Sequence, residues 1–306
     1  MIKTTKKGQW YEIIVPDSWS TFTVDHLLRN VWRAPKKLIH TIRMEKKLLI
    51  NGEIPNWDQL LVAGEKLQLN IFQPEKFEGI PSYQDVDVLF EDEHLLVLNK
   101  PADMDTHPNE SQQEDTLLNG AAFHLQANGE NLKPRHIHRL DRETTGAVLF
   151  AKTHLASAIL DRLLEERKIK RTYLAITDGI IAKKKGTINK PIGRDRHHPV
   201  RRRVSHTGQP AITHYEVLKY FKNENKTLIR CSLDTGRTHQ IRVHLSDINH
   251  PLSGDVLYGG TDAFSRQALH AVKMDIPHPF TGEIVTCHAP FLDNPPIFKQ
   301  INPFNI

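Results

Sequence analysis

A chain of 306 residues with net charge +5 and a sequence pI near 9.1 is long enough for about two domains and needs no disulfide or metal to build a core. Its 39% hydrophobic and 25% charged residues exclude a disordered or fibrous chain. The basic balance fits an anionic partner, nucleic acid being the commonest, and equally a mildly basic enzyme with no such partner.

Tyr11–Val15 reads as a strand, and Val24, Leu27, Leu28 and Val31 fall at helical spacing. Pro35 opens a second helix carrying Leu38, Ile39 and Ile42. Leu48–Ile50 runs into Asn51-Gly52, a hairpin turn signal, and Lys66–Phe72 alternates like a strand. Residues 1–72 therefore read as a small α/β module. The segment 73–85, QPEKFEGIPSYQD, reads as a linker, and residues 86–306 as a second domain. There, Val88–Phe90, Leu95–Leu98, Ala147–Ala151, Tyr173–Ile176, Ala211–Tyr220, Lys226–Leu233, Leu269–Ile276 and Ile284–Cys287 read as strands. Asp115–Gln126, His154–Lys168 and Arg237–Ile248 read as helices. The order lacks regular βαβ alternation, so an α+β fold on a mixed, largely antiparallel sheet is expected.

Cys231 and Cys287 stand far apart, which suits a reducing compartment. The N-terminal stretch lacks the apolar run of a signal peptide, and no segment approaches the ~18 apolar residues of a membrane span. A soluble, cytoplasmic, monomeric protein with no membrane partner is expected. Phosphate-loop, dinucleotide and H-E-x-x-H motifs are absent. The pairs His136/His138 and His239/His244 lack a third ligand at metal spacing, so no metal and no cofactor are expected.

The densest polar cluster runs from His136 to Gly146 and leads directly into the apolar AVLFAK. Asp141 sits there between Arg139 and Arg142, a setting that favours an ionised carboxylate acting as nucleophile or electrostatic stabiliser. A surface salt-bridge loop is the plain alternative. A second cluster, Leu233 to His244, turns at Thr235-Gly236 and places Arg237, Thr238 and Gln240 at the opening of a helix, a natural anion contact. Two basic runs follow. Arg29, Arg33, Lys36, Lys37, Arg43, Lys46 and Lys47 crowd the small module. Lys183, Lys184, Lys185, Lys190, Arg194, Arg196, Arg201, Arg202 and Arg203 lie in a hairpin or loop of the larger domain. Two such runs favour contact with backbone phosphates.

HRLDRETTG resembles the H-R-L-D-x-x-T-S-G signature of the RluA-type pseudouridine synthases. VLFEDEHLLVLNKPADMDTHP (88–108), RTYLAI (171–176), LDTGRTHQIRVHLSDINHPLSGDVLYGG and LHAVKMDIPHPFTGEIVTCHAPF resemble further ordered segments of the same family, together spanning 86–292. Residues 1–72 resemble, less closely, the RNA-binding domain named after ribosomal protein S-four. The resemblance implies a catalytic domain with a central cleft, a cofactor-free isomerase, and an RNA partner: large-subunit ribosomal RNA first, transfer RNA second. It implies Asp141 as the essential aspartate, Tyr173 as the tyrosine that stacks on the uracil and is a candidate proton acceptor, and Arg237 as the arginine paired with the aspartate. Arg139 would fill the space left by a flipped uridine. His138, Thr238 and Gln240 complete the expected substrate contacts, and Lys36, Lys37, Arg43, Lys46, Arg201, Arg202 and Arg203 the expected RNA contacts. Asp103 in place of the family's glycine, Thr145 in place of serine and Arg171 in place of lysine are departures; the first puts the shape of its turn in question. Two rival readings are a binding-only RNA protein on the same fold, and a glycoside hydrolase using Asp141 with Glu143. The intact Asp141, Tyr173 and Arg237 oppose the first, and the basic faces oppose the second.

Overall fold

The computed structural model describes residues 2–110 and 112–306. Strands β1 (Thr4–Lys7) and β2 (Trp10–Ile14) lead into α1 (Val24–His26), which continues as a π-helical turn, Leu27–Val31. Next come α2 (Lys36–Met44), β3 (Leu48–Ile50) and β4 (Lys66–Asn70), and the four strands pair antiparallel in the order β1-β2-β4-β3. Alternation of apolar residues puts Tyr11, Ile13, Leu67 and Leu69 on one buried face. Ile39 and Ile42 of α2 pack into the same core and leave its basic side outward. Asn51 and Gly52 both adopt positive φ, 51° and 89°, as a tight two-residue turn requires. The hairpin they close is a single bridge, Ile50 to Glu53, and β3 pairs instead with β4.

Residues 73–85 hold no helix or strand, yet they are pinned: the Glu75 N–H donates to Asn131 O at 2.9 Å, and its carboxylate pairs with Arg135. Beyond them run β5 (Asp87–Glu91), β6 (Leu95–Lys100), α3 (Leu117–Ala127), β7 (Arg135–His136), β8 (Thr145–Ala151), α4 (His154–Glu165) and β9 (Lys170–Asp178). Then follow β10 (Lys185–Asn189), β11 (Ile192–Arg194), β12 (Arg202–Val204), β13 (Ile212–Phe221), β14 (Lys226–Leu233), α5 (Gln240–Asp247), β15 (Leu269–Pro277) and β16 (Ile284–His288). The main sheet runs β10-β13-β14-β9-β15-β8-β6-β5, with β16 beside β15 and β7 beside β8. Its pairings are antiparallel except β15 with β8. The sheet is thus mixed and largely antiparallel, and the fold α+β. The apolar runs β6 and β8 are buried along their whole length, as central strands covered on both faces are. Gly146 permits the parallel join: it has φ +113° and lies opposite Ala271, whose backbone a side chain there would overlap.

The two parts share one core. Tyr11, Trp32 and Phe72 of the small module close around His94 and Phe280 of the large one, with Tyr11 and Phe72 centred 4.3 and 5.3 Å from His94. Ion pairs Arg33–Glu166 (2.6 Å) and Lys6–Glu130 (3.8 Å) flank that contact. The helix expected from Arg237 begins only at Gln240, because His239 takes a left-handed conformation, φ 57°. The basic run 183–203 resolves into edge strand β10 and the separate two-stranded arm β11–β12.

Candidate active site

Asp141 projects from the loop between β7 and β8, and that loop is tied down at several points. Thr106 Oγ1 donates to Leu140 O (3.0 Å) and accepts from Leu140 N (3.1 Å). Thr144 N closes a turn on Asp141 O at 2.9 Å. Lys100, fully buried, spends its ammonium on the carbonyls of Pro101, Met104 and Arg142 at 2.7–2.8 Å. Burial pulls the pKa of Lys100 down to about 7, opposed by the carboxylates of Asp141 and Glu143. His138 is buried and accepts from Leu149 N at 3.2 Å, and burial holds it neutral, with a pKa near 3. A polar loop fixed in this way on a buried strand holds its carboxylate in one place without help from a ligand.

The charge partner of Asp141 is Arg242 of α5, whose Nη1 stands 3.2 Å from Oδ2. Arg242 is itself fixed from behind. Its Nε and Nη2 donate to the two oxygens of Asp255 at 2.7 and 2.9 Å, and the Tyr258 ring lies 4.9 Å from its guanidinium carbon. Asp255 is 2% exposed, so the fork is a buried bidentate pair with one remaining edge turned to Asp141. His239 Nε2 approaches the same Oδ2 at 3.9 Å.

These groups line a cleft of about 530 Å³ that brings Arg139, Asp141, Tyr173, Arg171, Arg237, Thr238, His239 and Arg242 around one space. Tyr173, on β9, is 4% exposed, and burial raises the pKa of its phenol. Its register neighbours are Ala271 and Cys231. Arg139 and Thr238 are exposed on the rim.

Several expectations need correction. Arg237 does not pair with Asp141: its Nε donates to Pro210 O at 3.1 Å, and Arg242, in the same motif, makes the contact. Gln240 offers nothing to a substrate, because its amide is spent on Ile212 O, Thr213, Thr235 and the Arg237 N–H. Arg142 turns away from Asp141 to Asp103 (2.7 Å) and Asp105 (3.4 Å). That pair accounts for Asp103, which adopts φ 57°, a conformation that aspartate tolerates better than most residues. Glu143 does not line the cleft, so the Asp141–Glu143 pair expected of a glycoside hydrolase is not assembled there.

The expected RNA contacts differ in availability. Lys36, Lys37, Arg43 and Lys46 are exposed, and among the described residues none is in an ion pair; Arg43 lies over Trp57, 4.9 Å from the ring centre. Arg29, Arg33 and Lys47 are paired with Asp25, Glu166 and Glu45. On the arm, Arg203 is exposed, Arg201 pairs with Asp195 at 2.7 Å, and Arg202 is half-buried. Among the described residues no three metal-ligating side chains converge, and no helix is long and apolar enough to cross a membrane. Cys231 and Cys287 are buried and unpaired.

Comparison with known proteins places the chain in a family. A family model described as RNA pseudouridylate synthase matches residues 94–247, and one described as the RluD ribosomal pseudouridine synthase N-terminal domain matches 11–67. The chain is 46% identical over 287 residues to the uncharacterized RNA pseudouridine synthase YhcT of Bacillus subtilis (strain 168), covering 94% of this chain and 95% of that one. It is 37% identical over 301 residues to ribosomal large subunit pseudouridine synthase D of Nitrosomonas europaea, covering 92% and 85%. Among solved structures, human RNA pseudouridylate synthase domain containing 1 aligns with TM-score 0.56 and 28% identity, over 69% of this chain and 86% of that one.

Proposed function

The chain belongs to the RNA pseudouridylate synthases, isomerases that convert uridine in RNA to pseudouridine, and from that premise we propose that Asp141 is its reacting group and large-subunit ribosomal RNA its substrate. The observation that carries the reading is the carboxylate of Asp141, fixed by Arg242 in a cleft of about 530 Å³.

The reaction breaks the bond between ribose carbon-1′ and uracil nitrogen-1, turns the base, and rejoins it through carbon-5. The target uridine must leave its stack to reach Asp141, and exposed Arg139 on the rim fills the vacated space. The Asp141 carboxylate either attacks carbon-1′, giving an ester to the sugar, or removes a ribose proton, giving a glycal. Both routes use the same placed oxygen. Tyr173 stacks on the base. Burial raises its phenol pKa, which makes it a poor acceptor for the carbon-5 proton as it stands.

The two basic faces, α2 with Lys46 and the arm with Arg203, hold phosphates and position the RNA without reading its chemistry. Residues 1–72 contribute affinity and residues 86–306 contribute chemistry, joined by 73–85, and the enzyme acts as a cytoplasmic monomer. Ribosomal RNA as substrate is drawn from what the relatives' names say of them. The test is to incubate the protein with an unmodified transcript of large-subunit ribosomal RNA and map pseudouridine, beside RNA from a strain lacking the gene. Conversion at the positions missing from that strain is expected; conversion of transfer RNA alone would overturn the substrate assignment.

A further inference from the structure

Behind the cleft, the arm and the active site meet at one hydroxyl. The N–H of Arg202, in β12, donates to Tyr258 Oη at 2.8 Å, and the same oxygen lies 2.8 Å from His239 Nδ1. A phenol has one proton to give. Tyr258 is 8% exposed, and among the described residues its hydroxyl has no acceptor other than His239. The phenol proton therefore lies in the bond to His239, and Nδ1 is the acceptor. An imidazole that accepts at Nδ1 carries its own proton on Nε2. Burial lowers the pKa of His239, against the pull of Asp141, and so favours this neutral ring.

His239 Nε2 lies 3.9 Å from Asp141 Oδ2. Both neighbouring donors, Arg242 Nη1 at 3.2 Å and His239 Nε2 at 3.9 Å, approach Oδ2 and leave Oδ1 without a charged partner. His239 is held for this at φ 57°, a left-handed setting that costs about 1 kcal/mol or more for a residue with a side chain. Such outliers persist where the surroundings over-determine them. Here one ring nitrogen is held by Tyr258 at 2.8 Å and the other faces the carboxylate at 3.9 Å.

We propose that His239 is a positioning residue for the isomerisation: a neutral N–H donor, its tautomer set by Tyr258 and the backbone of the arm, that holds Oδ2 of Asp141 beside Arg242 and presents Oδ1 as the reacting oxygen. The inference rests on Asp141 being the reacting group. The 3.9 Å separation closes to a hydrogen bond once RNA fills the cleft, as catalytic hydrogen bonds commonly do on complex formation.

Two substitutions separate the roles of the two ring nitrogens. His239→Asn keeps a polar group near the Nδ1 position and tolerates the left-handed backbone, but has nothing at Nε2. His239→Gln restores an N–H there. With excess full-length enzyme on a ribosomal RNA transcript that the wild type converts, His239→Asn is expected to slow single-turnover conversion about tenfold or more, the size of one charge-assisted hydrogen bond. RNA affinity should not change, and His239→Gln should recover most of the rate. Nitrogen-15 spectra of labelled histidine in the wild type should show His239 protonated on Nε2, and Tyr258→Phe should mix the tautomers. A wild-type rate for His239→Asn, or a His239 protonated on Nδ1, would overturn the proposal. The tautomer is read on the unsubstituted protein, so a variant that fails to fold does not remove the test. A wild type that makes no pseudouridine, or an Asp141→Asn protein that still does, would instead overturn the reading of the site itself.

Discussion

The cleft and the outer face of α2 use the same kinds of residue in opposite ways. In the cleft, Arg242 is 7% and Asp255 2% exposed, and Arg242 joins the carboxylates of both Asp255 and Asp141. On α2 and just beyond it, Lys36, Lys37, Arg43 and Lys46 stand in solvent with no ion pair among the described residues. Burying an ion pair costs desolvation that its attraction barely offsets, so such a network contributes orientation more than stability. Exposed lysines cost nothing to keep free and release counterions when a polyanion arrives. On the proposed reading, chemistry and affinity are thus separated in space, and each side of that separation can be broken alone.

The largest effect is expected from Arg242→Met. It leaves Asp255 buried without its partner and should cost about 3–5 kcal/mol, read as a lower midpoint in urea, together with most of the single-turnover rate. Full stability in this variant would mean that the buried network is not what holds α5 against the loop of Asp141.

Acid should act next, through the aromatic contact between the two parts. Among the described residues neither ring nitrogen of His94 has a hydrogen-bond partner, and burial takes its pKa from 6.5 to about 3, with Asp92 pulling the other way. The unfolded chain takes up this proton near pH 6.5 and the folded chain only near 3. Stability is therefore present above 6.5 and falls by about 1.4 kcal/mol per pH unit between the two values. His136, His138 and His270, pushed to about 4, 3 and 4 by burial, add slope in the same direction. Urea midpoints from pH 7 to 4 should show the fall, and His94→Phe should flatten it by about one proton. An unchanged slope in that variant would place the titration elsewhere.

Replacing Lys36, Lys37, Arg43 and Lys46 with glutamine should weaken RNA binding at low salt and lower the slope of log affinity against log salt by up to ~4, with the rate at saturating RNA untouched. The smallest effect is expected from Asp103→Gly, which relieves a left-handed backbone but loses an exposed ion pair with Arg142. The two nearly cancel, so the urea midpoint should move by less than ~1 kcal/mol.

The sequence made the apolar framework plain because period and burial coincide there. Leu95–Leu98, Ala147–Ala151 and the helix at His154 fall close to their observed places, and Asp141 stood out as a charge beside a buried strand. The partner of Asp141 was not legible. Arg139 and Arg142 are its neighbours in sequence, whereas Arg242 is 101 residues away. It sits in α5, where Gln240–Leu245 are all buried, so no amphipathic stripe marked the functional side. Arg237 stands out because the resemblance pairs it with the aspartate and because the turn Thr235-Gly236 places it at the expected opening of a helix, but the left-handed His239 delays that helix by three residues. Strand β1 is not legible because it is short, charged and at an edge, where polar residues discourage further pairing, and the basic run 183–203, read as a hairpin or loop, holds edge strand β10 and the β11–β12 hairpin.

The central claim is that the carboxylate of Asp141 performs the reaction and that binding resides elsewhere, and Asp141→Asn tests it most directly. Asparagine keeps the shape and removes the charge, while the exposed basic residues stay in place. Measured side by side on one ribosomal RNA transcript, single-turnover conversion should fall by at least ~10³-fold while RNA affinity and the thermal midpoint stay near wild type. A folded, RNA-binding Asp141→Asn protein that converts uridine at close to the wild-type rate would contradict the account.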